Sequence, residues 1–171
     1  MIYYRYLDLD YKPCAEKLRE YIWEYRQDIL AQKTVVSFKH TDRNHVMSKV
    51  PELKPMNLTV RFLAFFVGYW QESRIHIDPD MAFARINFPI INCENSVTKF
   101  FTTEDPLIRG MTTAGLSTID PARCQYVDEY SLTQAVVFRP KEPHQVISHN
   151  PQKPRISCTV GFFEDIEYLF T

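Results

Sequence analysis

A chain of 171 residues with a net charge near −1, 45% hydrophobic and 24% charged residues is long enough to bury its own core without disulfides or a structural metal. That balance argues against a disordered tail and against a broad basic face, so nucleic acid is not the expected partner and a small or apolar one is as good a candidate as any. One domain over residues 1–171 is the most economical organisation.

The chain opens with a short strand, IYYRYLD, and MIYYRYLDLDYK has no basic segment leading into an apolar one. No apolar run reaches about 18 residues, so no membrane span is expected and a cytoplasmic location is. From Pro13 to Lys33, Leu18, Ile22, Tyr25, Ile29 and Leu30 recur at helical spacing. This predicts an N-terminal helix with Pro13 in its first turn, packed on the outside of a sheet.

TVVSFKH reads as a second strand. The segment Asn57 to Trp70, NLTVRFLAFFVGYW, is almost continuously apolar. Val60, Phe62, Phe65, Phe66 and Val67 lean it towards a buried strand, while Leu63 and Ala64 keep a buried helix open. ARINFPIIN, VTKFF, TQAVVFRP, HQVISHN and RISCTVGFF are short β-rich runs divided by Pro, Asn, Gly and Thr. So many short strands predict a sandwich, barrel or jelly roll. Thr102 to Leu132 is long, polar and weakly patterned, and is expected to be a lid or binding loop.

Chemistry concentrates in two places. In RIHIDPD, His76 and Asp78 lie two apart, so on a strand they project to one face, with Ile77 turned away into an apolar layer. In EPHQVISHNPQKPRIS, ten residues separate His144 from Arg155, and Ser157 shares a strand face with Arg155. Two histidines and a carboxylate can bind one side of a metal and leave positions for a keto acid and oxygen, and a guanidinium fork with a hydroxyl can grip the far carboxylate of that acid. His149 is the rival distal ligand, but it lies in the turn HNPQKP and is expected in solvent.

HxD, a distal His, and an Arg-x-Ser after it, read here as His76-Ile77-Asp78, His144 and Arg155-Ile156-Ser157, resemble the signature of the Fe(II)- and 2-oxoglutarate-dependent dioxygenases. The resemblance implies a mainly β fold with a flanking N-terminal helix, a double-stranded β-helix (a cupin-like jelly roll) with helices bracing the larger sheet. It implies Fe(II) on His76, Asp78 and His144, and 2-oxoglutarate chelating the metal with its distal carboxylate on Arg155 and Ser157. It also implies use of molecular oxygen, decarboxylation of 2-oxoglutarate to succinate, and hydroxylation of an amino-acid side chain, peptide or small metabolite.

ARINFPI looks like the arginine-to-proline strand that follows the metal histidine in aspartyl/asparaginyl β-hydroxylase-like members, which implies that Arg85 binds a carboxylate of co-substrate or substrate. The chain departs from that subgroup by keeping Asp78 and by a His-to-Arg spacing one residue longer. Two other readings stand beside this one: a cupin-type metalloenzyme that does not use 2-oxoglutarate, and a non-catalytic jelly-roll binding module.

The remaining polar residues carry weaker expectations. Asn87 and Asn92 are candidates to hydrogen-bond a ligand, Asn92 equally to end a strand at a turn. Arg139 is expected in solvent. His40 and His45 flank a polar turn and have little metal character. Cys93 and Cys158 fall near the site by strand position. With Cys14 and Cys124 they form no CxxC pair, and all four read as reduced thiols without assigned chemistry.

Overall fold

A computed structural model describes residues 1–10, 12–24, 27, 31, 35–37, 58–68, 72–78, 84–103, 117–149 and 153–171. His40, His45 and most of the expected helix beyond Glu24 lie outside these residues.

Two antiparallel sheets face one another. The larger joins, in spatial order, β1 (Tyr4–Tyr6), β9 (Val136–Phe138), β5 (Arg85–Ile91), β11 (Arg155–Phe162), β3 (Val60–Gly68) and β2 (Val35–Ser37). The smaller joins β7 (Ser117–Thr118), β4 (His76–Ile77), β10 (His144–Ser148), β6 (Ser96–Thr103) and β8 (Cys124–Ser131). This is the expected double-stranded β-helix, with the helix α1 (Lys12–Glu24) bracing the larger sheet. The ambiguous apolar run after Asn57 is a strand, β3. Among the described residues no helix is long and apolar enough to cross a membrane.

The centre of the fold is β11, hydrogen-bonded to β3 on one side and β5 on the other and buried along its whole length. Alternation sends Ile156, Cys158, Val160 and Phe162 to one face, where they pack with Leu63, Phe65 and Val67 of β3 and Ile86, Phe88 and Ile90 of β5. Ala15, Leu18 and Ile22, at helical spacing, bring one stripe of α1 onto that layer. Burial of each large side chain there is worth roughly 1.5–3 kcal/mol. Arg155, Ser157 and Thr159 take the opposite face, towards the smaller sheet.

Pro89 sits within β5, where it cannot donate to the ladder. It is accommodated by a bulge: Ser157 pairs with Pro89 and Ile156 with Ile91, leaving Ile90 as the extra residue. The Ile90 carbonyl is then free to accept from Arg19 Nε of α1 at 3.1 Å.

Three expectations are corrected here. Thr102 to Leu132 is not one long loop, because β7 and the eight residues of β8 fall within it, while 104–116 lie outside the described residues. β8 is an edge strand whose Gln125, Tyr126, Val127 and Glu129 are exposed, so it lacks the apolar alternation that marks a strand in sequence. Arg139 is only partly in solvent: it donates to the Ile2 carbonyl at 2.8 Å, pairs with Glu167 and lies over the Phe170 ring. Cys158 faces the α1 side, away from the other sheet.

Candidate metal centre

The smaller sheet places the two histidines side by side. β4 and β10 are antiparallel neighbours with His76 opposite His144, and His144 is in turn opposite Phe100 of β6. The HxD segment is tied down on both flanks: Ser73 N donates to Val146 O of β10 and its hydroxyl accepts from Val146 N, while Asp78 N donates to Pro140 O, in the turn between β9 and β10, at 2.9 Å. Asp78 follows the last residue of β4, two beyond His76. Ile77 packs with Ile75, Phe101 and Ile119 on the other face, as strand alternation requires.

The ligand atoms of His76, Asp78 and His144 all lie within 4.8 Å of one another. Each histidine is oriented by a backbone carbonyl that its Nδ1 approaches, Arg74 O for His76 at 2.7 Å and Glu142 O for His144 at 2.9 Å. A carbonyl only accepts, so each Nδ1 carries a proton and each Nε2 is turned to the shared centre. Burial, reinforced by the neighbouring His76, lowers His144 to about 4 and keeps it neutral at physiological pH. Two imidazoles and a carboxylate at this spacing can hold a divalent metal, with one side of the ion left open.

Across the barrel, Arg155 is buried, 5% exposed. Its Nε donates to Ser96 Oγ at 2.9 Å and its Nη1 to Ser157 Oγ at 3.1 Å. Among the described residues it forms no ion pair. A buried cation held only by hydroxyls is unneutralised, and it favours an anion beside it. Between this cation and the histidines runs a set of buried polar side chains: Thr159 Oγ1 donates to Asn87 Oδ1 at 2.5 Å, and Asn87 Nδ2 to Tyr130 Oη at 3.4 Å. Burial pushes the Tyr130 phenol up, against the opposing pull of Thr98, Arg155 and Asn87.

Of the residues expected from sequence, His76, Asp78 and His144 converge, and Arg155 and Ser157 meet on one face. Arg85, 4% exposed, donates from Nη1 to Asp78 Oδ2 at 2.6 Å, a partner the sequence had not assigned to it. Asn87 bonds within the protein. Asn92 ends β5 in the left-handed region, φ 52°, and donates to Pro154 O. His149 is exposed, just past β10. Cys93 donates to Ile156 O, and burial raises its thiol. Ser96 and Tyr130 went unnoticed in the sequence. The alternation Ser96-x-Thr98-x-Phe100 is the one signal that marks Ser96 as inward-facing.

No family model matches the chain, and no curated protein matches it. Solved structures do. The chain is similar to the epimerase SnoN, solved in complex with Fe3+, alpha ketoglutarate and nogalamycin RO, at 13% identity over 93% of this chain and 78% of that one, with a TM-score of 0.52. It is similar to AviO1 from Streptomyces viridochromogenes Tue57 at 9% identity, over 96% of this chain and 90% of that one, also at 0.52. With hydroquinone 1,2-dioxygenase PnpCD the likeness is 7% in identity, covering 60% of this chain and 58% of that one, at a TM-score of 0.37. At these identities what is shared is the fold.

Proposed function

We propose that this chain, read as one domain over residues 1–171, is an Fe(II)- and 2-oxoglutarate-dependent dioxygenase that hydroxylates an amino-acid side chain, peptide or small metabolite. The observation that carries the proposal is the pairing of two features in one barrel: three ligand atoms within 4.8 Å of one another, and a buried arginine whose partners among the described residues are hydroxyls. A metal site by itself fits many chemistries. A metal site facing an unneutralised cation fits a ligand with a chelating end and an anionic end, which is the chemistry of a keto diacid.

In this reading His76 and His144 offer Nε2 and Asp78 offers Oδ1 to Fe(II). Arg155 and Ser157 hold the distal carboxylate of 2-oxoglutarate and so fix which end reaches the metal. Bound there, the metal supplies activation of molecular oxygen. One oxygen atom goes to the substrate as a hydroxyl and the other to succinate, with loss of carbon dioxide.

The test is succinate release with Fe(II), ascorbate and 2-oxoglutarate, using a panel of amino acids and peptides as substrates. The parent is expected to bind one iron per chain and to form succinate. His76→Ala is expected to lose the iron, and Arg155→Ala to keep iron while 2-oxoglutarate and its analogue N-oxalylglycine bind roughly 100-fold more weakly. Iron binding that does not depend on His76 would sink the metal assignment. Keto-acid binding indifferent to Arg155 would favour a cupin-type enzyme working without 2-oxoglutarate.

A further inference from the structure

The barrel holds a second buried arginine, and its surroundings differ from those of Arg155. Arg85 Nη1 donates to Asp78 Oδ2 at 2.6 Å, and the other oxygen, Oδ1, faces His76 Nε2 at 3.8 Å. The two oxygens of one carboxylate therefore have separate duties: one is held by a guanidinium, and the other is turned to the ligand cluster. Both side chains are largely withdrawn from water, 5% exposed for Arg85 and 8% for Asp78. The charge of Arg85 therefore acts on the centre with little screening.

We infer that Arg85 is a positioning residue that sets the charge of the metal centre. By holding Asp78 Oδ2 it leaves a single carboxylate oxygen to the metal, and its cation weakens metal binding while strengthening the binding of a dianionic chelator. This rests on the reading of His76, Asp78 and His144 as metal ligands. A divalent metal held by one carboxylate and two imidazoles keeps net positive charge, and the Arg85 guanidinium adds positive charge beside it, which favours a dianionic keto diacid. A charge-assisted hydrogen bond also draws electron density from the carboxylate and makes it a poorer donor. Both effects act against the metal. Loosening the carboxylate on removal of Arg85 acts the other way, and it is outweighed by the relief of repulsion between two cations a few ångströms apart.

The experiment is calorimetric titration of Co(II) into the metal-free parent, Arg85→Gln and Arg85→Lys. Titration of 2-oxoglutarate into each Co(II)-loaded protein follows, with the visible Co(II) bands recorded throughout. Arg85→Gln is expected to bind Co(II) about tenfold more tightly or better, with shifted bands as Asp78 gains a free oxygen, and 2-oxoglutarate about tenfold more weakly. Arg85→Lys keeps the charge and is expected to stay near the parent in both. Unchanged Co(II) affinity with weakened 2-oxoglutarate would overturn the inference in favour of direct contact between Arg85 and the co-substrate. Weaker Co(II) binding would overturn it in favour of simple orientation of Asp78. Should Arg85→Gln not fold, Arg85→Lys decides: parent-like affinities support the charge role, and lost 2-oxoglutarate binding with unaltered Co(II) binding defeats it. A parent that binds no Co(II) removes the metal reading itself, and Arg85 with it.

Discussion

The two faces of the larger sheet are both buried, and they are built from opposite materials. On the α1 side, β11 contributes Ile156, Cys158, Val160 and Phe162 to an apolar layer. On the barrel side the same strand contributes Arg155, Ser157 and Thr159, and β5 adds Arg85 and Asn87. An apolar layer stabilises simply by leaving water. A buried layer with an unneutralised arginine costs stability, and such an arrangement persists where a ligand supplies the missing charge. An apolar layer and a polar one are thus set on opposite faces of one sheet, and under the proposed function the first serves stability and the second the site.

The sharpest way to break that separation is to cut each face once. Phe65, fully buried on the α1 side, is expected to lose about 3–5 kcal/mol on replacement by Ala, read as a shifted urea midpoint. At low temperature, where the variant remains folded, its iron affinity should match the parent. His76→Ala is expected to do the reverse: no iron bound and no succinate formed, with stability within about 1 kcal/mol of the parent. If both substitutions move both readouts together, the faces are coupled and the division of labour is wrong.

Proton uptake distinguishes the faces next. His144 is lowered from 6.5 to about 4 in the fold by burial and by His76, so the unfolded chain takes up the proton first as pH falls. Stability of the metal-free protein should be level above about pH 6.5, decline by about 3 kcal/mol between 6.5 and 4, and gain no further slope from this group below 4. Urea unfolding at pH 7 and pH 4.5 measures the decline, and His144→Gln should remove most of it. Phe65→Ala should lower the curve without changing its shape, since the side chains described around it are apolar.

The same division explains what could be read from the chain. Apolar β-rich runs and helical spacing mark buried faces, so β5, β11 and the first half of the helix were legible, with Leu18 and Ile22 marking the stripe that α1 buries, while the nearly continuous apolar run of β3 left strand and helix open. The candidate site could be picked out because HxD, a distal His and Arg-x-Ser form an ordered set of uncommon residue types, and the fold brings His76, Asp78 and His144 within 4.8 Å of one another. Hydroxyls carry no such signal. Ser96 and Tyr130 look like ordinary strand residues, and Tyr130 lies on β8, whose exposed outer side hid the strand itself. The bond from Arg85 to Asp78 was hidden for another reason. It joins β5 of the larger sheet to the end of β4 in the smaller one, so it follows from how the sheets face each other.

The smallest effect gives the finest test, because it compares neighbours in the chain. Ser157 and Cys158 are adjacent on β11, both buried, and point to opposite layers. Ser157→Ala removes the acceptor of the 3.1 Å bond from Arg155 Nη1, while Ser96 still holds Nε. It is expected to weaken 2-oxoglutarate binding about fivefold and to cost about 1 kcal/mol of stability, the size of one hydrogen bond. Cys158→Ser leaves Arg155 untouched but puts a hydroxyl into an apolar layer, at a cost of about 1–3 kcal/mol in stability with keto-acid affinity unchanged. Calorimetry and urea unfolding on the same two variants read both quantities. Loss of keto-acid affinity in Cys158→Ser would show that the anchor depends on the packing behind it, and that one strand cannot serve two layers independently.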